Sequence, residues 1–174
     1  MINSTSTLSH IFICLLLFSV NSFAKGTYLL PDEFVNIAFK QQMPEAEIIW
    51  IKGDLRNQVE NILQHKYAAR RVRYWKKDLR SVWILDEIGK KKPITVGIVI
   101  DGDKISDIKV LVFRETRGWE VKYPFFTQQF NQLSLTKENT LSQPVDGISG
   151  ATLSVRALNK LARIALLLNQ EINL

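Results

Sequence analysis

The sequence predicts an α+β domain, a largely antiparallel sheet flanked by helices, on three observations. Short runs of β-branched and aromatic residues crowd the middle of the chain, an Asp-Gly turn joins two of them, and helical periodicity brackets the whole. The elements can be justified in order. From Pro31, the spacing of Phe34, Ile37, Ala38 and Gln41 predicts a helix. Proline at its opening and Asp32 and Glu33 in its first turn suit the dipole, and Pro44 closes it. Glu47 to Ile51 reads as a short strand ending at Gly53. A second helix is expected from Asp54, as candidate cap, to about His65, with Val59, Ile62 and Leu63 on one face.

Val72, Tyr74 and Trp75 begin a sheet that Val82 to Leu85 continues. Ile94 to Ile100 is the strongest strand signal in the chain. The turn Asp101-Gly102-Asp103-Lys104 then leads into Ile105 to Phe113, which predicts a hairpin and three or more strands in meander order. Tyr123 to Leu133 reads as a short aromatic helix. A final helix from about Ala151 to Gln170 carries Val155, Leu158, Leu161, Ala162, Ala165 and Leu168 on one stripe, the mark of a helix packed on a sheet.

The chain has 174 residues, 46% hydrophobic and 23% charged, enough for one domain with its own core. Its first two dozen residues differ from the rest. An uncharged start runs into an apolar stretch from Ile11 to Val20, followed by Ser22-Phe23-Ala24 and the first lysine, Lys25. That layout predicts a secretory signal over residues 1–24, cleaved after Ala24, with a single domain over 25–174 and a periplasmic location. An uncleaved anchor is the alternative, although the apolar stretch is shorter than the roughly 20 residues a spanning helix needs. The one cysteine, Cys14, would leave with the signal. With only His10 and His65 beside it, no His/Cys metal cluster is expected. All charged residues follow the signal, so the net charge of +6 belongs to the mature chain and suits an anionic partner or a phosphate-bearing cofactor.

Chemistry concentrates in Asp146-Gly147-Ile148-Ser149-Gly150-Ala151-Thr152-Leu153-Ser154, immediately before the last helix. Small residues, free amides and hydroxyls meet there at a positive helix end, which can hold a phosphate. The plainer alternative is a capped helix, with Ser149 as N-cap, the glycines forming the turn and nothing bound. The pattern Asp-x-x-Ser-Gly-Ala-Thr-x-Ser resembles the flavinylation motif of the FMN-binding domain family. That family is represented by the periplasmic subunits of the sodium-pumping NADH:quinone reductase and the Rnf complex. The resemblance implies that FMN is attached covalently, as a phosphoester on Thr152, by a flavin transferase that uses FAD as donor.

A second patch, Glu115-Thr116-Arg117-Gly118-Trp119-Glu120, resembles the family's Glu-Thr-Pro-Gly-Leu-Gly loop, with Arg117, Trp119 and Glu120 departing from it. Those departures fit stand-alone exported FMN-binding proteins better than respiratory subunits. The resemblance spans about Pro93 to Leu168. It implies a cofactor site of Thr152, Ser149, Gly150, Ala151, Leu153, Ser154 and Asp146, joined by Glu115, Thr116, Gly118 and Trp119. Ser149 and Ser154 would offer hydroxyls to the phosphate. Asp146 would fix the turn through its side chain or be read by the transferase, and Trp119 would either stack on the flavin or pack.

The implied function is a periplasmic electron carrier that meets a membrane-bound or periplasmic redox partner, and it is an electron carrier more than a self-sufficient enzyme. A flavin-dependent reductase of a small molecule or metal chelate is one alternative, and a non-redox module for a phosphorylated ligand is another. The basic run Lys66, Arg70, Arg71, Arg73, Lys76, Lys77 and Arg80, with Tyr67, Tyr74 and Trp75 between, invites a nucleic-acid reading. An exported protein rarely meets nucleic acid, so a solvated face or a dock for an acidic redox partner or an anionic membrane surface is expected instead.

Overall fold

A computed structural model describes residues 26–174. The expected signal over residues 1–24, its cleavage site, Cys14 and His10 lie outside them. One sheet of five antiparallel strands runs in chain order: β1 (Ala46–Trp50), β2 (Arg71–Lys77), β3 (Arg80–Ile88), β4 (Pro93–Asp101) and β5 (Lys104–Phe113). The expected hairpin is present, with Asp101 opposite Lys104 and Gly102 at φ 65°, a conformation that glycine enters without a Cβ penalty.

Helices cover both faces of this sheet. α1 (Pro31–Ala38) lies on one face, where Phe34 and Val35 pack with Trp75, Val82, Val99 and Leu111. Phe34 lies directly on the β4 backbone, because Gly97 has no Cβ to collide with its ring. The other face carries the larger core, in which α2 (Gly53–Leu63) and the long α4 (Thr152–Glu171) pack on Trp83, Leu85, Val96, Ile98, Ile105 and Ile108. The predicted stripe of α4 is buried throughout. Among the described residues no helix is long and apolar enough to cross a membrane.

Polar groups inside this core are paired. Trp83 Nε1 donates to Ser81 Oγ at 2.8 Å, Ser81 donates to Asn169 Oδ1 at 2.7 Å, and Asn169 Nδ2 donates to the Gly102 carbonyl at 2.8 Å. This chain ties the end of α4 to β3 and to the β4–β5 turn. At the opposite end of β3, the buried Glu87 accepts from Lys160 Nζ of α4 at 3.1 Å and faces His65 Nε2 at 3.1 Å.

Three local expectations are corrected. α2 begins at Gly53 with Lys52 in the capping position, so Asp54 is not the cap; its carboxylate accepts from Gln58 one turn on. α1 stops at Ala38, since Lys40 and Gln41 both take positive φ. The aromatic segment is not one helix. A 3-10 turn at Trp119–Lys122, α3 (Pro124–Thr127) and a second 3-10 turn at Gln128–Phe130 follow one another. Pro124 has no N–H to continue a helix from the preceding turn, and Gln132 at φ 66° ends the run. Segmenting the chain this way lets Phe126 and Phe130 both reach the core, ring edge to ring face at 5.6 Å.

Candidate functional site

The glycine-rich turn decides how α4 starts. Gly150 sits at φ 82°, and the Ala151 N–H donates to the Ile148 carbonyl at 3.0 Å, closing a turn with glycine in its third position. Ala151, not Ser149, occupies the N-cap position, and no side chain caps the helix. The amides of Thr152, Leu153 and Ser154 therefore have no acceptor among the described residues. Thr152 itself is exposed, with its hydroxyl at the first helical position.

The second patch folds onto this helix end. After β5 the chain passes through Glu115 and Thr116 to Gly118, which takes φ 83° and lies so close to Ser154 that a Cβ there would overlap the serine hydroxyl. Ser154 is 4% exposed and lies against this glycine. A cleft of about 250 Å³ opens here, lined by Gly150, Ala151, Thr152, Leu153 and Ser154 together with Lys90 and Arg117. Neither cation forms an ion pair among the described residues. Two free cations and a positive helix end thus share one cleft, an arrangement that favours an anion.

Lys90 reaches the cleft because of Glu115. Oε1 of Glu115 accepts the backbone N–H groups of Lys90 at 2.6 Å, Lys92 at 2.7 Å and Lys91 between them. The β3–β4 loop is gathered around that carboxylate. Burial pushes the Glu115 carboxyl up, but the three amides, with the Lys92 charge, outweigh it and hold the pKa below the ordinary value.

The remaining expected site residues are placed as follows. Ser149 is exposed on the turn beside Gly150. Asp146 is exposed, and it is its N–H that is anchored, to Gln129 Oε1 at 2.8 Å; its carboxylate makes no hydrogen bond among the described residues, so the expected side-chain turn bond is absent. Thr116 and Trp119 line an adjoining cleft of about 630 Å³ with Tyr28, Lys92 and Arg114. Trp119 is 41% exposed, meets Tyr123 edge to face at 5.7 Å, and has Lys122 Nζ 5.3 Å from its ring; the same ammonium lies 4.0 Å from the Tyr28 ring. Tyr28 arrives there because residues Gly26 to Tyr28 pair with β5.

The basic run divides. Arg80 is committed to Asp101 and to the Ala38 carbonyl, Lys76 reaches Asn173, and Tyr74 and Trp75 are buried. Lys66, Arg71 and Arg73 instead line a cleft of about 470 Å³ and have no ion-pair partner among the described residues.

Sequence reasoning missed Lys90 altogether and met Arg117 only as a departure from a motif. The signal for Lys90 was present in Gly89-Lys90-Lys91-Lys92-Pro93, a basic turn between two strands, but nothing local aims it at Thr152.

Residues 89–167 match the FMN-binding domain family. Among solved structures, the chain is similar to one component of the Na(+)-translocating NADH-quinone reductase from Parabacteroides distasonis. That match has 18% sequence identity and a TM-score of 0.49, over 76% of this chain and 82% of that one. No curated protein matches the chain.

Proposed function

From the premise that residues 89–167 carry an FMN-binding domain, we propose that the protein holds FMN covalently on Thr152 and serves as an electron carrier outside the cytoplasm. One observation carries the reading: an exposed threonine stands at the uncapped start of α4, beside two cations that form no ion pair among the described residues. The residues fit the group. Free amides of Thr152, Leu153 and Ser154, the hydroxyls of Ser149 and Ser154 and the charges of Lys90 and Arg117 are the donor set a phosphate takes.

Attachment needs a flavin transferase. Thr152 Oγ1 forms the bond to the FMN phosphorus of FAD, the pyrophosphate bond breaks, AMP leaves, and the hydroxyl proton passes to a base on the transferase. Bound there, the flavin supplies one- and two-electron redox chemistry. The chain supplies the anchor, an electropositive cleft and exposed aromatic rings at Trp119 and Tyr28. Lys66, Arg71 and Arg73, without an ion pair among the described residues, would meet an acidic redox partner, membrane-bound or free. Export rests on the apolar run before Ala24.

Coexpression with a flavin transferase tests this directly. The expected product carries the mass of one FMN less one water, on the peptide containing Thr152. A chain that stays colourless and unmodified while a known substrate of the same transferase is labelled overturns the reading. Rapid multiple turnover with a soluble donor and acceptor would turn it into a reductase.

A further inference from the structure

We infer that Lys90 and Arg117 form a cationic clamp on the phosphate at Thr152, and that Glu115 is the positioning residue that closes it. The inference rests on the reading of Thr152 as the flavin acceptor and deepens it by naming what the acceptor cleft does to the phosphate.

Three independent features converge on this cleft. The first is charge: Lys90 and Arg117 come from different loops, face the same 250 Å³ as Thr152, and neither has a carboxylate within ion-pair range among the described residues. Both residues are exposed, so water screens their repulsion, and together with the positive helix end they make a field that attracts an anion. The second is polar: Ser154, 4% exposed, lines the cleft beside Thr152, and a serine hydroxyl is a donor that a phosphate oxygen can accept from. The third is the way the loops are held. Glu115 gathers the amides of Lys90, Lys91 and Lys92 on one oxygen, while two residues further along its own strand exit Arg117 enters the cleft and Gly118 lies against Ser154. One short segment thereby fixes both arms relative to Thr152.

The clamp acts on charge that builds during attachment. The phosphate remains anionic once it becomes a diester, and charge accumulates on its oxygens while the Thr152 oxygen bonds to phosphorus and the AMP oxygen departs. Cations held in place beforehand stabilise that charge without reorganising. Lys90 and Arg117 touch the phosphate; Glu115 works only through the loop it holds.

The test is the rate of flavin transfer to the full chain, with purified transferase and FAD, in the wild type and in Lys90→Glu, Arg117→Glu, Lys90→Arg and Arg117→Lys. Each charge reversal is expected to lower kcat by about tenfold or more, the effect of losing one charge-assisted contact. KM for the protein acceptor should stay within about twofold, and each conservative variant should recover most of the rate. Glu115→Gln should slow transfer in the wild type but add little in a Lys90→Ala background, as expected for residues acting in series. Far-UV circular dichroism and thermal midpoints confirm that each variant is folded. Charge reversals that label at the wild-type rate would overturn the clamp while leaving Thr152 as acceptor. A rise in KM at constant kcat would overturn it in favour of transferase docking. A wild-type chain that is never labelled removes both the clamp and the reading beneath it.

Discussion

Gly118 lies flat against Ser154, with no room for a Cβ between the loop backbone and the serine hydroxyl. This contact joins the two sequence patches into one site. Gly118→Ala meets two obstacles at once, the overlap with Ser154 and a φ of 83° that disfavours any side chain. We expect it to cost about 1–3 kcal/mol, read as a lower midpoint in urea unfolding. It should also reduce labelling of Thr152, because Arg117 moves with the displaced loop. Unchanged stability and labelling would show that the loop yields freely.

Thr152→Ala removes an exposed hydroxyl at the first helical position that makes no hydrogen bond among the described residues. Stability should change by no more than about 0.5 kcal/mol, while the flavin adduct disappears from the intact mass. Thr152→Ser keeps the nucleophilic oxygen and should keep part of the label. Asp146→Ala should leave the midpoint unchanged and lower labelling, since its carboxylate makes no hydrogen bond or ion pair among the described residues.

Ser81→Ala strands both neighbours in the buried polar chain, the Trp83 indole N–H and the Asn169 side-chain carbonyl. A loss of roughly 1–3 kcal/mol is expected, visible in chemical denaturation and without effect on labelling. This variant thereby serves as a control that separates stability from the site.

His65 provides a pH dependence. The Lys66 carbonyl 3.0 Å from Nδ1 raises its pKa; partial burial opposes this, and Glu87 3.1 Å from Nε2 adds to the rise. A group with a raised folded pKa stabilises the fold below its unfolded pKa, about 6.5, and loses that contribution as pH rises through the folded value. His65→Gln should therefore be less stable than the wild type in mild acid and equal to it at alkaline pH. Thermal midpoints of the two proteins across this range give the comparison, and parallel curves would contradict it.

Electron transfer should depend on salt. With Lys66, Arg71 and Arg73 unpaired among the described residues, reduction of the flavinylated protein by membranes from the source cell should slow as ionic strength rises. NADH alone should reduce it slowly. Anaerobic stopped-flow at the flavin absorbance measures both, and a rate indifferent to salt would remove these cations from the encounter.

What the sequence determined is what is local. The β-branched run from Ile94 to Ile100, alternation after Ile105 and the turn around Gly102 are sufficient to define a hairpin, because strand preference, side-chain period and turn chemistry act within a few residues. The apolar stripe after Ala151 defines a packed helix for the same reason, and the glycine, serine and threonine pattern before it marks where that helix starts. Capping was less legible. Asp54 and Ser149 have the right chemistry for caps, yet Lys52 and Ala151 hold those positions, since tertiary packing sets where each helix begins. Only the tertiary structure brought Lys90 to Thr152. The pairing of Ile88 with Pro93 places the β3–β4 loop at the same end of the sheet as the exit of β5, where Glu115 binds its amides and Gly118 receives the start of α4. A meander sheet returns distant turns to one edge, and the sequence around any one of those turns carries no record of its neighbours.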